Sequence, residues 1–346
     1  MARQRPTISD VARQAGVSKG LVSFALNDRP GVSPTTRRRI LAVANELGWR
    51  PSLRARSLST NRAFALGLVI ARNPEIIAGD PFFPALISGI EMTLAPVGQA
   101  LVLSMVPNVE AEVASYRRLV ANDRVDGVII TDLRRDDSRI ALAIELGLRA
   151  VTLGHPDIES PFPAISLDDG PGIRAAVAHL VDLGHRRIAH VAGPSSMLHG
   201  ERRRVSFTEA VRDAGLPDGV VIETDFSAAD GARATRHLLG LAERPTAIVY
   251  SNDPMAIAGL GVAQGFGYRV PEDLSITGFD GSEVGEYIHP SLTTVATTAR
   301  DWGSQAADAL LRVIAGERVD DIELNPARLI VRGSSGPLGT TNRAVR

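Results

Sequence analysis

The stretch Thr7-Ile-Ser-Asp-Val-Ala-Arg-Gln-Ala-Gly-Val-Ser18 decides how the first part of the chain folds. Thr7 with an acid three residues later, Asp10, is a capping-box-like start. Ile8, Val11, Ala12 and Ala15 then fall at i, i+3, i+4 and i+7, lining one face of a short helix. Gly16 suits the left-handed position that ends such a helix. Ser18 is a good N-cap for a second helix, with Leu21, Val22, Ala25 and Leu26 as its apolar stripe and Asn27 closing it. Ser33-Pro34 reads as N-cap plus N1 proline of a third, with Ile40, Val43, Ala44 and Leu47 on one face and Gly48 at the stop. Two short helices around one glycine turn, braced by a third, predict a helix-turn-helix. Its second helix would present N-terminal side chains to a DNA major groove.

Charge supports that reading. Twelve of the 38 Lys and Arg residues lie in the first 62 positions, against three acids, Asp10, Asp28 and Glu46. The remaining residues hold 26 basic and 36 acidic side chains, so a formal net charge of −1 hides a basic arm on an acidic body. Positive charge this dense repels itself and points to a polyanionic partner. Regular apolar spacing separates the arm from a merely solvated tail. Arg37, Arg38 and Arg39 fall in the first turns of the third helix, where they can grip phosphates.

The stretch Thr7–Ser18, followed by Val22-Ser23, Leu26-Asn27, Val32-Ser33, Thr36-Arg37 and Pro51, resembles the N-terminal signature of the lactose/galactose (LacI-type) repressor family. The resemblance implies a dimeric transcription regulator on a near-palindromic double-stranded operator. Its recognition helix begins at Ser18, with Lys19, Gly20, Ser23 and Phe24 nearest the bases and Thr7, Asn27, Thr36 and Arg37 among the DNA contacts. Two residues depart from the family pattern: Phe24 where Arg is common, and Gly20 where a longer polar residue is common. Phe cannot make the bidentate guanine contact of Arg but can press on a thymine methyl, so a different operator is expected.

Between Trp49 and Arg62 no turn glycine occurs, and Ala55 and Leu58 could share a face of one short helical turn, marginal in isolation. The segment resembles the family's hinge helix, which orders on the operator in pairs. By that resemblance Leu58 is the wedge that opens a central base step from the minor groove, with Ala55 beside it. Ser52 stands where the family often has Asn.

Beyond Ala65 short apolar runs recur at 66–70, 101–106, 127–131, 150–153, 188–191, 220–222, 247–250 and 274–278. Helical spacing lies between them at 83–94, 116–121, 173–183, 204–214 and 255–264. Apolar strands alternating with helices mean parallel sheets covered on both faces, which bind ligands beyond their strand C-termini. Two successive sets predict two doubly wound lobes with a cleft between them.

Gly184-His-Arg-Arg-Ile188, Arg203-Arg-Val-Ser-Phe207, Asn252-Asp253, Val270-Pro-Glu-Asp-Leu-Ser275, Gly278-Phe-Asp280, Pro290-Ser-Leu-Thr-Thr294 and Leu329-Ile-Val-Arg332 carry the resemblance through this body. They are similar to the family's periplasmic-binding-protein-like core, in which the chain crosses between lobes three times. The expected layout is a headpiece over 1–48, a hinge over 49–62 and a core over 63–346. Within the core, one lobe is expected over about 63–161 and 292–324, and the other over about 162–291 and 325–338. For the effector, Phe82, Phe83 and Phe226 are expected as ring-stacking walls and Arg203 as a fork on vicinal hydroxyls. Asp253 and Asp280 are expected as acceptors, with Asn252, Thr131 and His155 at neighbouring strand ends. Such a set suits a neutral sugar or polyol, with a purine or nucleoside as the alternative.

Other functions find little support. There is no Gly-x-Ser-x-Gly elbow and no Walker loop, Gly259–Gly265 has the wrong spacing for a nucleotide fingerprint, and the seven histidines show no metal-binding pair. No enzymatic activity and no cofactor are expected. No cysteine occurs, and no apolar stretch is long enough to span a bilayer or act as a leader, so a cytoplasmic location without a membrane partner is expected. A solute-binding protein for transport would suit the body but not the basic arm. No leucine heptad follows residue 335, so a homodimer is expected rather than a tetramer.

Overall fold

The computed structural model describes residues 6–26, 30–49, 57, 60 and 62–339. The expected contacts Asn27, Ala55 and Leu58 lie outside the described residues. The chain divides into two compact units, with the break between Ala63 and Phe64.

The first unit is three helices, α1 (Ile8–Ala15), α2 (Lys19–Leu26) and α3 (Pro34–Glu46). Thr7 caps α1 as its spacing predicts: its backbone N–H donates to Asp10 Oδ2 at 2.9 Å and its hydroxyl to the same oxygen at 2.7 Å. Gly16 adopts φ 65°, which lets the chain reverse and lets its N–H reach the α1 carbonyls. Ser18 Oγ accepts from Leu21 N at 3.1 Å, and Ser33 Oγ from Thr36 N at 3.2 Å. Val11, Ala12, Ala15, Val22, Ala25, Ile40 and Ala44 bury together as a small core.

The second unit holds two six-stranded sheets. Its strands are β1 (Ala65–Ala71), β2 (Ala100–Val106), β3 (Gly127–Ile130), β4 (Ala150–Leu153), β5 (Ala164–Ser166), β6 (Ile188–Ala192), β7 (Val221–Glu223), β8 (Ala247–Tyr250), β9 (Ser275–Asp280), β10 (Thr293–Ala296), β11 (Ile322–Glu323) and β12 (Arg328–Ile330). Its helices are α4 (Pro74–Gly79), α5 (Phe82–Leu94), α6 (Val109–Ala121), α7 (Ser138–Glu145), α8 (Gly170–Asp182), α9 (Leu198–Asp213), α10 (Ala228–Leu239), α11 (Asp253–Gly265), α12 (Val284–Tyr287) and α13 (Ala299–Ile314). The first sheet runs β11-β5-β4-β3-β1-β2 and the second β12-β10-β9-β8-β6-β7. All pairs are parallel except β10–β12. Strands β3, β4, β6 and β8 are buried along their whole length, as sheets covered on both faces require.

Two expected lobe boundaries move. β5 belongs to the first sheet, pairing with β4 and β11, so the first crossing follows Ser166 rather than residue 161. β10 belongs to the second sheet, pairing with β9, so the second crossing follows Ala296 rather than residue 291. The chain crosses a third time between β11 and β12. Helix α13 then returns to the first lobe and packs on α5 through a glycine contact. A Cβ on Gly303 would meet the Leu86 carbonyl oxygen at 2.1 Å, and one on Gly89 the Arg300 carbonyl oxygen at 1.9 Å. Only glycine allows backbones this close.

Strand order reverses at β1/β3 in one sheet and at β6/β8 in the other. The loops leaving those strands diverge and open a crevice at the strand C-termini of each lobe.

Candidate functional site

On the first unit, α2 presents Lys19, Gly20 and Phe24 to the outside, with Ser18 exposed ahead of them and Ser23 half-buried. Phe24 is 41% exposed and does not belong to the small core. Thr7 is exposed, but both its donors are used by Asp10. Thr36 and Arg37 are half-buried at the start of α3, while Arg38 and Arg39 are exposed.

On the second unit, one cleft gathers residues from both sheets and encloses about 610 Å³ of empty space, its mouth included. Six expected residues line it: Phe82, Thr131, Arg203, Phe226, Asn252 and Asp280. The floor is an ion pair that joins the ends of β1 and β3. Arg72 Nε donates to Asp132 Oδ2 at 2.6 Å and Nη2 to Asp132 Oδ1 at 2.7 Å, while Asp80 lies 4.0 Å from Nη1. The Arg72 guanidinium also faces the Phe83 and Phe226 rings at 5.4 and 5.2 Å.

From the other lobe Arg203 donates to the Ser251 carbonyl at 2.5 Å, and it pairs with Asp169 at 3.5 Å. Its guanidinium lies over the Phe279 ring at 3.7 Å, and its buried Nε has no hydrogen-bond partner among the described residues. Arg202 reaches the same Asp169 at 3.4 Å. Phe226 stacks on His199 at 5.3 Å, and Phe82 meets Trp302 edge-on at 6.0 Å. Trp302 is anchored by its indole N–H on the Ile165 carbonyl at 2.6 Å.

Electrostatics divide these groups. Burial drives the Asp280 carboxyl well above the usual carboxylate range; Arg203 opposes that, and Asp80, Asp253 and Asp169 add to it. Burial pushes the Asp132 carboxyl up, but Arg72, together with Arg139 and other neighbouring groups, holds it below the usual range. Burial, with Arg203 and Arg72 adding, lowers His199 to about 3, so its ring is neutral. Asp132, Phe226 and Asp280 all carry left-handed φ, at 52°, 72° and 111°. Backbone strain of this kind gathers where a surrounding structure fixes side chains for binding.

Three expected residues lie elsewhere. Phe83, beside Phe82 on α5, points inward and is 1% exposed in the main core. The Asp253 carboxylate is buried and fully used, accepting from Thr294 Oγ1 at 2.6 Å and from Ser282 N at 2.6 Å. His155 is exposed at the edge of the first sheet, where its Nε2 meets Glu323 at 2.6 Å and Ser166 Oγ at 3.1 Å. Asn252 lines the cleft, but its amide is engaged as the N-cap of α11 and as a donor to the Phe226 carbonyl at 2.9 Å. Sequence reasoning missed Arg72, Asp132, Asp169, His199 and Trp302. Arg72 follows β1 directly and Asp132 lies two residues past β3, so the strand-end rule pointed at them; His199 and Trp302 arrive on helices with no comparable mark.

The far rim of the cleft is fastened by backbone. Leu198 N donates to Leu133 O at 2.9 Å and Arg135 N to Ser196 O at 3.2 Å, flanking an antiparallel bridge between Arg134 and Met197. Arg135 adds an ion pair to Glu201 at 2.9 Å.

A helix-turn-helix unit in one chain with a two-lobed, cleft-bearing body defines a DNA-binding regulator that answers to a small molecule. Residues 7–52 match the model of bacterial regulatory proteins of the lacI family, and residues 177–335 that of a periplasmic binding protein-like domain. The chain is 34% identical over 328 residues to the HTH-type transcriptional regulator CelR of Thermobifida fusca, covering 93% of this chain and 96% of that one. A solved transcriptional regulator CelR–cellobiose complex superimposes with a TM-score of 0.73 at 32% identity, covering 95% of this chain and 100% of that one. A solved lac repressor dimer bound to operator and the anti-inducer ONPF gives 0.83 at 29% identity, covering 96% and 100%. The chain belongs to the LacI family: it is a DNA-binding transcriptional regulator whose operator affinity is under effector control. Among the described residues no helix is long and apolar enough to cross a membrane.

Proposed function

We propose that this chain is a cytoplasmic repressor. It binds a near-palindromic operator as a homodimer and is controlled by a neutral polyhydroxyl compound, a sugar or polyol, held in the cleft. The observation that carries the effector class is the balance of charge there. Three arginines, Arg72, Arg202 and Arg203, face four carboxyls, Asp80, Asp132, Asp169 and Asp280. Each arginine already has a carboxylate partner, and Asp280 is held toward its neutral acid form. An anionic ligand would meet more carboxyls than cations, and a cationic one would compete with arginines already in place. A hydroxylated ring adds no net charge, can accept from Arg203 and exchange hydrogen bonds with Asp280, and can lay its C–H faces on Phe82, Trp302 and Phe226.

The DNA reading rests on α2. Lys19, Gly20, Ser23 and Phe24 lie nearest the base edges, with Ser18 and Thr7 among the further contacts, and Thr36 and Arg37 hold phosphates. Asn27, Ala55 and Leu58 keep their expected roles on the strength of the sequence resemblance. An effector shifts operator affinity only through its preference for one lobe arrangement, typically by about 5–150-fold.

A thermal-shift screen of sugars, polyols and nucleosides on the full chain tests the reading, followed by operator binding with and without the hit. A sugar or polyol that raises the melting temperature and changes operator affinity supports it. A purine nucleoside as the sole hit would overturn the polyhydroxyl assignment. Operator binding that does not weaken with added salt would overturn the phosphate contacts.

A further inference from the structure

The chain carries 37 arginines, no cysteine and a single lysine, Lys19. It therefore offers one side-chain amine and no thiol to an acyl donor. Arginine stays protonated in proteins and does not attack a thioester, whereas a lysine amine does. That one lysine is the first residue of α2, the helix assigned to the base edges. Every other cation of the basic arm is an arginine, Arg37, Arg38 and Arg39 among them, so charge alone does not call for lysine at this place. Nor does the fold call for it. Lys19 is exposed and makes no hydrogen bond or ion pair with any described residue. The surroundings are open: beyond its chain neighbours and the helix backbone, a Cβ built on Gly20 would meet only Ser18 Oγ, at 3.8 Å. No acid stands in the first turn of α2 to hold the ammonium, and the positive end of the helix dipole disfavours a cation there. Neutralising Lys19 therefore leaves the helix intact and alters only what it presents to a polyanion.

We propose that Lys19 is an acylation site, at which short-chain acyl thioesters switch off the DNA-reading face independently of the cleft. The proposal rests on the DNA reading of α2 and adds a regulation to it. The unprotonated Nζ attacks the thioester carbonyl carbon. A C–N bond forms, the C–S bond breaks, and the thiol leaves with the proton that the amine gives up; nothing is oxidised or reduced. An ammonium becomes a neutral amide, longer by the acyl group, beside the base edges. A dimer carries the change at both half-sites. The cleft is lined by no lysine, so effector binding is untouched.

Incubation of the full chain with acetyl-coenzyme A, followed by peptide mapping by mass and by operator binding, tests this beside Lys19→Arg and Lys19→Gln. The operator is selected from random duplexes by the untreated chain. The parent chain should gain an acetyl group on Lys19 and lose operator affinity by about tenfold or more, the loss of one cationic contact per half-site. Lys19→Arg should bind like the untreated parent and keep its affinity through the treatment, while Lys19→Gln binds as weakly as the acetylated chain. Bound operator should protect Lys19 from the reagent, and unchanged melting temperatures verify folding. A Lys19→Arg variant as weak as Lys19→Gln would show that the compact shape of the ammonium accounts for lysine here, and would overturn the switch. So would an acetylated chain of undiminished affinity, or a Lys19 left unmodified while the chain's α-amine is acetylated. An untreated chain that selects no operator would overturn the DNA reading itself.

Discussion

Replacing Asp132 by Asn asks whether the Arg72–Asp132 pair holds the cleft floor by charge or by shape. Asn has the same outline and tolerates the left-handed φ of 52° at this position, so backbone strain is not the variable. What changes is that Arg72, 8% exposed, keeps only Asp80 at 4.0 Å as a nearby carboxylate. Asp80 does not fully compensate, because burial has already raised its own pKa. Removing one partner of a buried ion pair typically costs about 3–5 kcal/mol. For a domain of this size that corresponds to a melting temperature lower by roughly 6–15 °C. The companion variant is the double substitution Arg72→Met with Asp132→Asn, which removes the stranded charge and leaves an apolar side chain facing Phe83 and Phe226. It should recover at least half of the single variant's loss, so the two substitutions should be strongly non-additive, the double variant losing far less than the sum of the two singles. Urea titration of all four proteins, with thermal unfolding alongside, gives the cycle directly. The reasoning fails if Asp132→Asn loses less than about 1 kcal/mol, the level of an exposed pair. It also fails if the double variant loses the full sum of the singles.

Four further outcomes are expected. Burial lowers His190 to about 4 and His199 to about 3 from an ordinary 6.5, so their neutral rings stabilise the fold above about pH 6.5 and that contribution is lost as the pH falls toward those values; a urea midpoint unchanged between about pH 7.5 and about pH 4.5 would contradict this. Gly303→Ala places a methyl 2.1 Å from the Leu86 carbonyl oxygen and should destabilise the second unit by about 1–3 kcal/mol through separation of α5 and α13, visible as a lower melting temperature. Arg135→Ala removes the ion pair to Glu201 from a side chain that is 56% exposed; global stability should change by less than about 1 kcal/mol while ligand dissociation, followed by stopped flow, becomes faster. Leu58→Ala should weaken operator binding in an anisotropy titration and leave effector affinity unchanged, and equal operator affinity would discard the wedge.

The headpiece was legible because its signals are local. Thr7, Gly16, Ser18 and Ser33 fix helix ends by bonds within three or four residues, and the apolar stripes between them need no distant partner. The eight strands with continuous apolar runs were equally plain. β5, β10, β11 and β12 were not, because each is two to four residues long and defined by its neighbours. Assigning β5 and β10 to the wrong lobe follows from that: nothing in Ala164–Ser166 states which sheet it will join. At the site, strand-end reasoning found places better than directions. Phe82 and Phe83 are adjacent and chemically identical, yet one faces the cleft and the other the core. Asp253 stands at the expected strand end, with its carboxylate turned toward Ser282 and Thr294. Arg72 was hidden among thirty-eight basic residues until the β1–β3 pairing brought Asp132 beside it.

The threading of the chain between the sheets bears on how the protein is made. β11 and β12, the outermost strands on one side of each sheet, are supplied by residues 322–330, so neither lobe is complete until almost the whole chain has emerged from the ribosome. The three-helix unit has all its parts within the first 63 residues. At synthesis rates of about 5–20 residues per second, the nascent polypeptide carries a finished reading head for on the order of half a minute before it can sense anything. During that interval the head lies outside the reach of any effector.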